Sequence, residues 1–281
     1  MLNFIKMNFY RFFKTRVFYI TLLITVLTFG LLARLETDPS SQDRGEQVVQ
    51  ENQEEEHVGI VANEEITEQT SFEDLYASLT SSGYILIMVG VFAIVYTEEE
   101  RKSGFLKNLL TTHKKKKNIF ISKIPVVFLY TLIMFVGSLL AIRLGSLGRG
   151  PGMYAIQSFC SLMRFMLFEV ILHTVFGIAM MALYEITRNT IIPIMITIFG
   201  SANLHGMLLN MVEVKLVSMR PALRGFMEKY ALSRNLIVTK VNMLGEAPVD
   251  FPYMNVIIVI MIGLVLYSVM GMLIFTKRDT I

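Results

Sequence analysis

Apolar residues in this chain come in long blocks separated by polar ones, and the blocks have the length of membrane crossings. The runs at 17–35, 77–96, 124–142, 158–184, 190–211 and 253–275 each match the ~20 residues a helix needs to cross a ~30 Å hydrocarbon core. Backbone polar groups in that medium must be satisfied within the segment itself. Six such runs therefore predict six transmembrane helices, an all-α integral membrane protein.

The intervening segments differ in charge. Residues 1–16 interleave Phe4, Ile5, Phe9, Tyr10, Phe12 and Phe13 with Lys6, Arg11, Lys14 and Arg16, the mixture expected of an interfacial amino-terminal helix. Leu31 to Leu35 offer no small-residue cleavage site, so the first run is expected to be retained as a span. Thr37 to Ser78 holds twelve acids and one base, whereas Glu98 to Lys123 holds eight bases and three acids. The positive-inside rule then puts 97–123 and both termini in the cytoplasm and the acidic loop 37–76 outside. Segment 212–252 is also expected outside, with one or two amphipathic helices at the interface, since long loops translocate despite a modest basic excess. Within 97–123 the acids come first and the bases last, and Phe105, Leu106, Leu109 and Leu110 form an apolar stripe. That pattern predicts an amphipathic helix on the inner membrane face.

Composition narrows the class further. With 281 residues, 53% hydrophobic and 17% charged, and a mean hydropathy of +0.54, the chain is too apolar for an ordinary soluble domain. Cys160 is alone, so no intramolecular disulfide forms. The glycines of 143–152 make a turn; no Gly-x-x-x-x-Gly-Lys-Ser/Thr pattern occurs in the chain. ATP hydrolysis by this polypeptide alone is therefore not expected, and nothing suggests a nucleic-acid partner.

Ionisable residues inside spans are candidates for function. Glu169 and His173 stand four apart and share a helix face; with Asn203 and His205 they are the tentative substrate-pathway residues, the plainer alternative being hydrogen bonds between helices. Arg164, near the outer boundary, can snorkel. An intramembrane metalloprotease would draw on Glu98, Glu99, Glu169, His173 and His205, but no His-Glu-x-x-His pair brings ligands onto one face, and no metal site is expected.

Glu100, Gly104, Leu106, Lys107, Leu110 and Lys123 fall where permeases of the type-2 ABC exporter class carry Glu, Gly, Leu, Lys, Leu and Lys. The chain resembles such a permease, with Phe105 at a position usually Thr and Lys114 to Lys117 in place of a Ser-Arg pair. The resemblance implies a coupling helix in which Glu100, Gly104, Phe105, Leu106, Lys107 and Leu110 dock into a cytoplasmic ABC ATPase dimer. ATP and Mg would be bound by that partner, with no cofactor in this chain and no enzymatic activity of its own. It further implies re-entrant or interfacial helices in segment 212–252, a second permease copy or a related permease, a bacterial plasma membrane location, and alternating access for export. The expected cargo is an amphipathic or cationic peptide or another hydrophobic molecule, as in bacteriocin export or immunity. A non-transporting membrane sensor or scaffold subunit is the remaining alternative.

Overall fold

The structure is a computed structural model that describes residues 2–36, 71–104, 116–147, 156, 158–246 and 253–277. Among the described residues the elements are helical throughout and no strand occurs. Helix α1 (Leu2–Lys14) turns at Thr15 into α2 (Arg16–Glu36). Then come α3 (Phe72–Ser81), α4 (Tyr84–Lys102), α5 (Lys116–Ile121), α6 (Ile124–Gly145) and α7 (Phe159–Thr187). They are followed by α8 (Ile191–Ser201), α9 (Leu204–Met219), α10 (Arg224–Tyr230) and α11 (Ile237–Glu246), with single 3-10 turns on either side of α10, and finally α12 (Tyr253–Lys277).

Four stretches are continuous, long and apolar enough to cross a membrane: Arg16–Leu35, Lys117–Gly145, Phe159–Thr187 and Tyr253–Lys277. The other two expected crossings, 77–96 and 190–211, are each a bent pair. α3 and α4 meet at 47°, and α8 and α9 at 66°. The first bend needs Gly83, whose φ of 81° suits a residue without a Cβ. Asn203 at the second bend has φ 55°, a conformation that asparagine tolerates better than most residues. The bends face each other. A Cβ on Gly83 would fall against the backbone carbonyl of Ser201, and one on Gly90 against Thr197, so α4 and α8 run together at backbone contact.

Helix α7 is the axis of the bundle. About 78% of its apolar window is buried, against 28% for α2 and 17% for α12, which leaves those two helices to present Leu23, Leu27 and Leu31, and Ile258, Met261 and Ile262, outward. Such apolar surface is what a helix shows to lipid. One aromatic cluster joins four elements: Phe92 of α4 stacks on Tyr130 of α6 at 3.8 Å between centroids, Phe12 of α1 meets Phe92 edge-on, and Phe18 of α2 packs on Phe12. The Tyr130 hydroxyl donates to Thr21 Oγ1 at 2.9 Å, so its polar end is satisfied in the apolar interior.

Helix α3 covers the end of the acidic segment 37–76, starting at Phe72, where Ser71 and Asp74 form a reciprocal capping box. Helix α9 runs to Met219, past the expected end at 211. Within 212–252, α11 returns to pack between α3 and α7; Gly245 makes this possible, since a Cβ there would strike Ser81 and the carbonyl of Ala77.

Candidate functional site

Helix formers carry α4 beyond its apolar end, through Thr97 to Lys102. Glu98, Glu99 and Glu100 consequently occupy the last turns of α4, the carboxyl-terminal end, where the helix macrodipole disfavours acids. The sequence reading set the same acids at the start of the 97–123 segment, and they stand here at the end of the helix that leads into it. The placement requires cations, and the fold brings them from distant parts of the chain.

Glu100 is fully buried. Its Oε1 lies 3.3 Å from an Arg11 guanidinium nitrogen and its Oε2 contacts the ammonium of Lys123. Lys123, in the turn between α5 and α6, is equally buried; it also lies 4.0 Å from Glu185 Oε1 and 5.4 Å over the ring of Phe275. Glu185, near the end of α7, pairs through Oε2 with Arg101 at 3.6 Å. Arg11 covers the Tyr96 ring at 5.2 Å, the Tyr96 hydroxyl donates to the backbone oxygen of Asn8, and the Asn8 amide donates to Ser122 Oγ at 2.8 Å. Glu98 accepts from Thr190 Oγ1 at 2.7 Å and pairs with Lys102 at 2.8 Å. One knot of charge thus ties α1, α4, the α5–α6 turn, α7 and α12 together, and α4 to the start of α8.

A buried pair of opposite charges adds little net stability, because desolvation offsets most of the attraction, but losing one partner leaves a bare charge in the interior. The knot therefore fixes geometry: the helices at this end shift together or break it. The chain leaves α4 immediately beyond, at Gly104, whose φ is 68° with none of the described residues near a would-be Cβ. Glycine is required there for backbone conformation and not for space.

The expected coupling residues divide accordingly. Glu100 is not displayed on a docking helix; it is the centre of the buried knot. Gly104 ends α4, and Phe105, Leu106, Lys107 and Leu110 lie outside the described residues.

The expected pathway residues form two separate groups. Glu169 and His173 are fully buried on α7, with His173 Nδ1 3.1 Å from Glu169 Oε2 and 2.8 Å from the Glu169 carbonyl oxygen. They pair within their own helix. Asn203 sits at the α8–α9 bend and accepts from Thr239 Oγ1 of α11 at 3.1 Å; His205 packs against Gly200. No hydrogen bond or ion pair among the described residues links these two to Glu169 or His173. Arg164 covers the Tyr253 ring at 4.7 Å. Among the described residues no group of three or more His, Cys, Asp or Glu side chains is arranged to hold a metal ion, so the set needed for the metalloprotease alternative is not assembled.

Arg11, Glu185, Asn8 and Ser122 belong to the knot and were not singled out from sequence. The signal for Glu185 was present: an acid at the end of an apolar run, where the positive-inside rule favours a base. Arg11 gave none, since one basic residue among four in an aromatic segment looks like an anchor to the membrane surface.

Residues 4–203 match the family model described as ABC-2 family transporter protein. No curated protein matches the chain.

Proposed function

The chain belongs to the ABC-2 transporter family and is a multi-pass membrane permease component of an ABC transporter; on that premise we propose that it serves an ATP-driven exporter whose motor is a separate cytoplasmic ABC ATPase dimer. The observation that carries the reading is the buried Glu100–Lys123 pair. It ties the last turn of α4 to the turn that opens α6, at the two ends of the stretch 101–122. A push on that segment is delivered to α4 and α6 jointly, and through Arg11 and Glu185 to α1 and α7. Gly104, Phe105, Leu106, Lys107 and Leu110 then form the docking element, while Glu100 transmits from behind it.

In this reading the charged end of the bundle and both termini are cytoplasmic, ATP and Mg are bound by the partner, and two permease halves enclose the pathway. The cargo is an amphipathic or cationic peptide. The acidic outer segment, with twelve acids against one base in Thr37 to Ser78, supports that choice through long-range attraction of cations. A bacterial plasma membrane and a role in peptide export or immunity follow from the same reading.

The test is a Lys107→Cys variant in a Cys160→Ser background. A membrane-impermeant maleimide should label it only from the cytoplasmic side, and a short bifunctional reagent should cross-link it to a co-purifying ATPase. Labelling from outside, or a purified complex without an ATPase, would discard the reading.

A further inference from the structure

Glu169 is a fully buried carboxylate outside the charge knot, and its ion-pair partner among the described residues is a histidine, His173. Apart from the His173 Nδ1 contact at Oε2, both of its oxygens and His173 Nε2 are buried with no further hydrogen-bond partner among the described residues, and both side chains are fully enclosed. From α6, Phe135 meets the His173 ring edge-on at 4.9 Å; from α3, Tyr76 packs edge-on at 6.1 Å against Phe165, one turn from Glu169 on α7. The hydroxyls available in this neighbourhood are already engaged: Tyr76 and Ser138 both donate to the carbonyl oxygen of Phe135. Phe135 and Tyr76 make the surroundings aromatic, and His173 is the donor that faces the carboxylate among the described residues.

A bare carboxylate in such an interior costs several kcal/mol. The pair is neutral as a unit when it shares one proton, and that proton is what the imidazole supplies. Part of the wall beside the pair belongs to a short helix of its own. Tyr76 belongs to α3, which is set at 47° to α4 across Gly83 and held on its far side by α11 through the Gly245–Ser81 contact.

From these contacts we infer that Glu169 is the acceptor for a cationic group of the cargo, an ammonium or guanidinium, with His173 as the internal counter-ion that keeps the site neutral when empty. This deepens the proposed export function and rests on it. When α3 swings away, the cargo cation takes the place of the imidazole beside the carboxylate. The shared proton leaves to water and His173 remains neutral, so one positive charge is exchanged for another and the site stays balanced. Phe135, Tyr76 and Phe165 offer ring faces and edges to the aliphatic stem and charge of the same group.

The experiment uses the full-length permease in neutral-lipid nanodiscs and two fluorescent amphipathic peptides that differ only in one Lys or acetyl-Lys. Wild type should prefer the Lys peptide about tenfold or more, the discrimination expected of one charge-assisted contact. Glu169→Gln should bind both peptides alike, with the acetyl-Lys affinity unchanged, and His173→Gln should strengthen Lys-peptide binding by removing the competitor. A full preference retained in Glu169→Gln overturns the inference. If that variant does not fold, His173→Gln decides, because an unchanged Lys-peptide affinity there is equally fatal. Wild type binding both peptides equally overturns only the acceptor site, whereas wild type binding neither removes the peptide-cargo reading on which it rests.

Discussion

Glu100 at the end of α4 and Lys123 at the start of α6 touch as a fully buried ion pair, although they stand 23 positions apart in the chain. Removing one member should strand the other. Glu100→Gln and Lys123→Met are each expected to lower unfolding stability in mild detergent by about 3 kcal/mol. The double replacement Glu100→Met with Lys123→Met should fall well short of the sum, since it removes both charges at similar volume. Additive losses would mean that the two charges are not coupled.

Which parts of this arrangement were legible in the sequence follows from what each signal measures. The four continuous crossings were visible because α2, α6, α7 and α12 are long apolar runs, and hydropathy measures apolar length. The bends at Gly83 and Asn203 were not. Each sits inside an otherwise apolar run, and a few small or polar residues there look the same in a straight span and a broken one. Glu169 and His173 could be put on one face by their spacing, because both lie in one helix and helical geometry is local. The role of Glu100 was hidden for the opposite reason. A glutamate at the polar end of an apolar run looks like a solvated boundary, and its partners Arg11 and Lys123 come from other elements, which no local pattern connects.

Gly83 and Gly104 both have a positive φ, but their surroundings differ. Gly104→Ala should cost only the left-handed strain of about 1–2 kcal/mol, since no described residue lies within reach of its Cβ. Gly83→Ala carries the same strain and adds a collision with the Ser201 backbone. Thermal unfolding of the two variants should therefore rank Gly83→Ala as clearly the less stable. Equal losses would show that the α3–α4 and α8–α9 bends are not packed on each other.

Ser71 caps α3 by accepting from the Asp74 amide, while Asp74 accepts from the Ser71 amide and hydroxyl. Ser71→Ala should cost about 1 kcal/mol. The loss should be local, seen as faster amide exchange in the first turn of α3 with exchange in α7 unchanged. If α7 exchanges faster to the same degree, α3 is not a separately movable piece, and the route to Glu169 through it is closed.

Lys240 supplies the pH-dependent case. It lies on α11, outside the six crossings, and is buried with no ion pair among the described residues. Desolvation first, and then the nearby positive charge of Arg234, hold its ammonium below the usual lysine range. The folded state therefore binds this proton less tightly than the unfolded chain. Its contribution is complete above the unfolded lysine value of about 10.4 and is lost as pH falls through the lowered folded value. Lys240→Met keeps the aliphatic stem and removes the charge, so it should raise the unfolding midpoint at neutral pH. The advantage should shrink as pH rises through the window between the two values. A gap between variant and wild type that stays constant from neutral to alkaline pH would mean that Lys240 titrates alike in both states, and that its burial imposes no charge penalty.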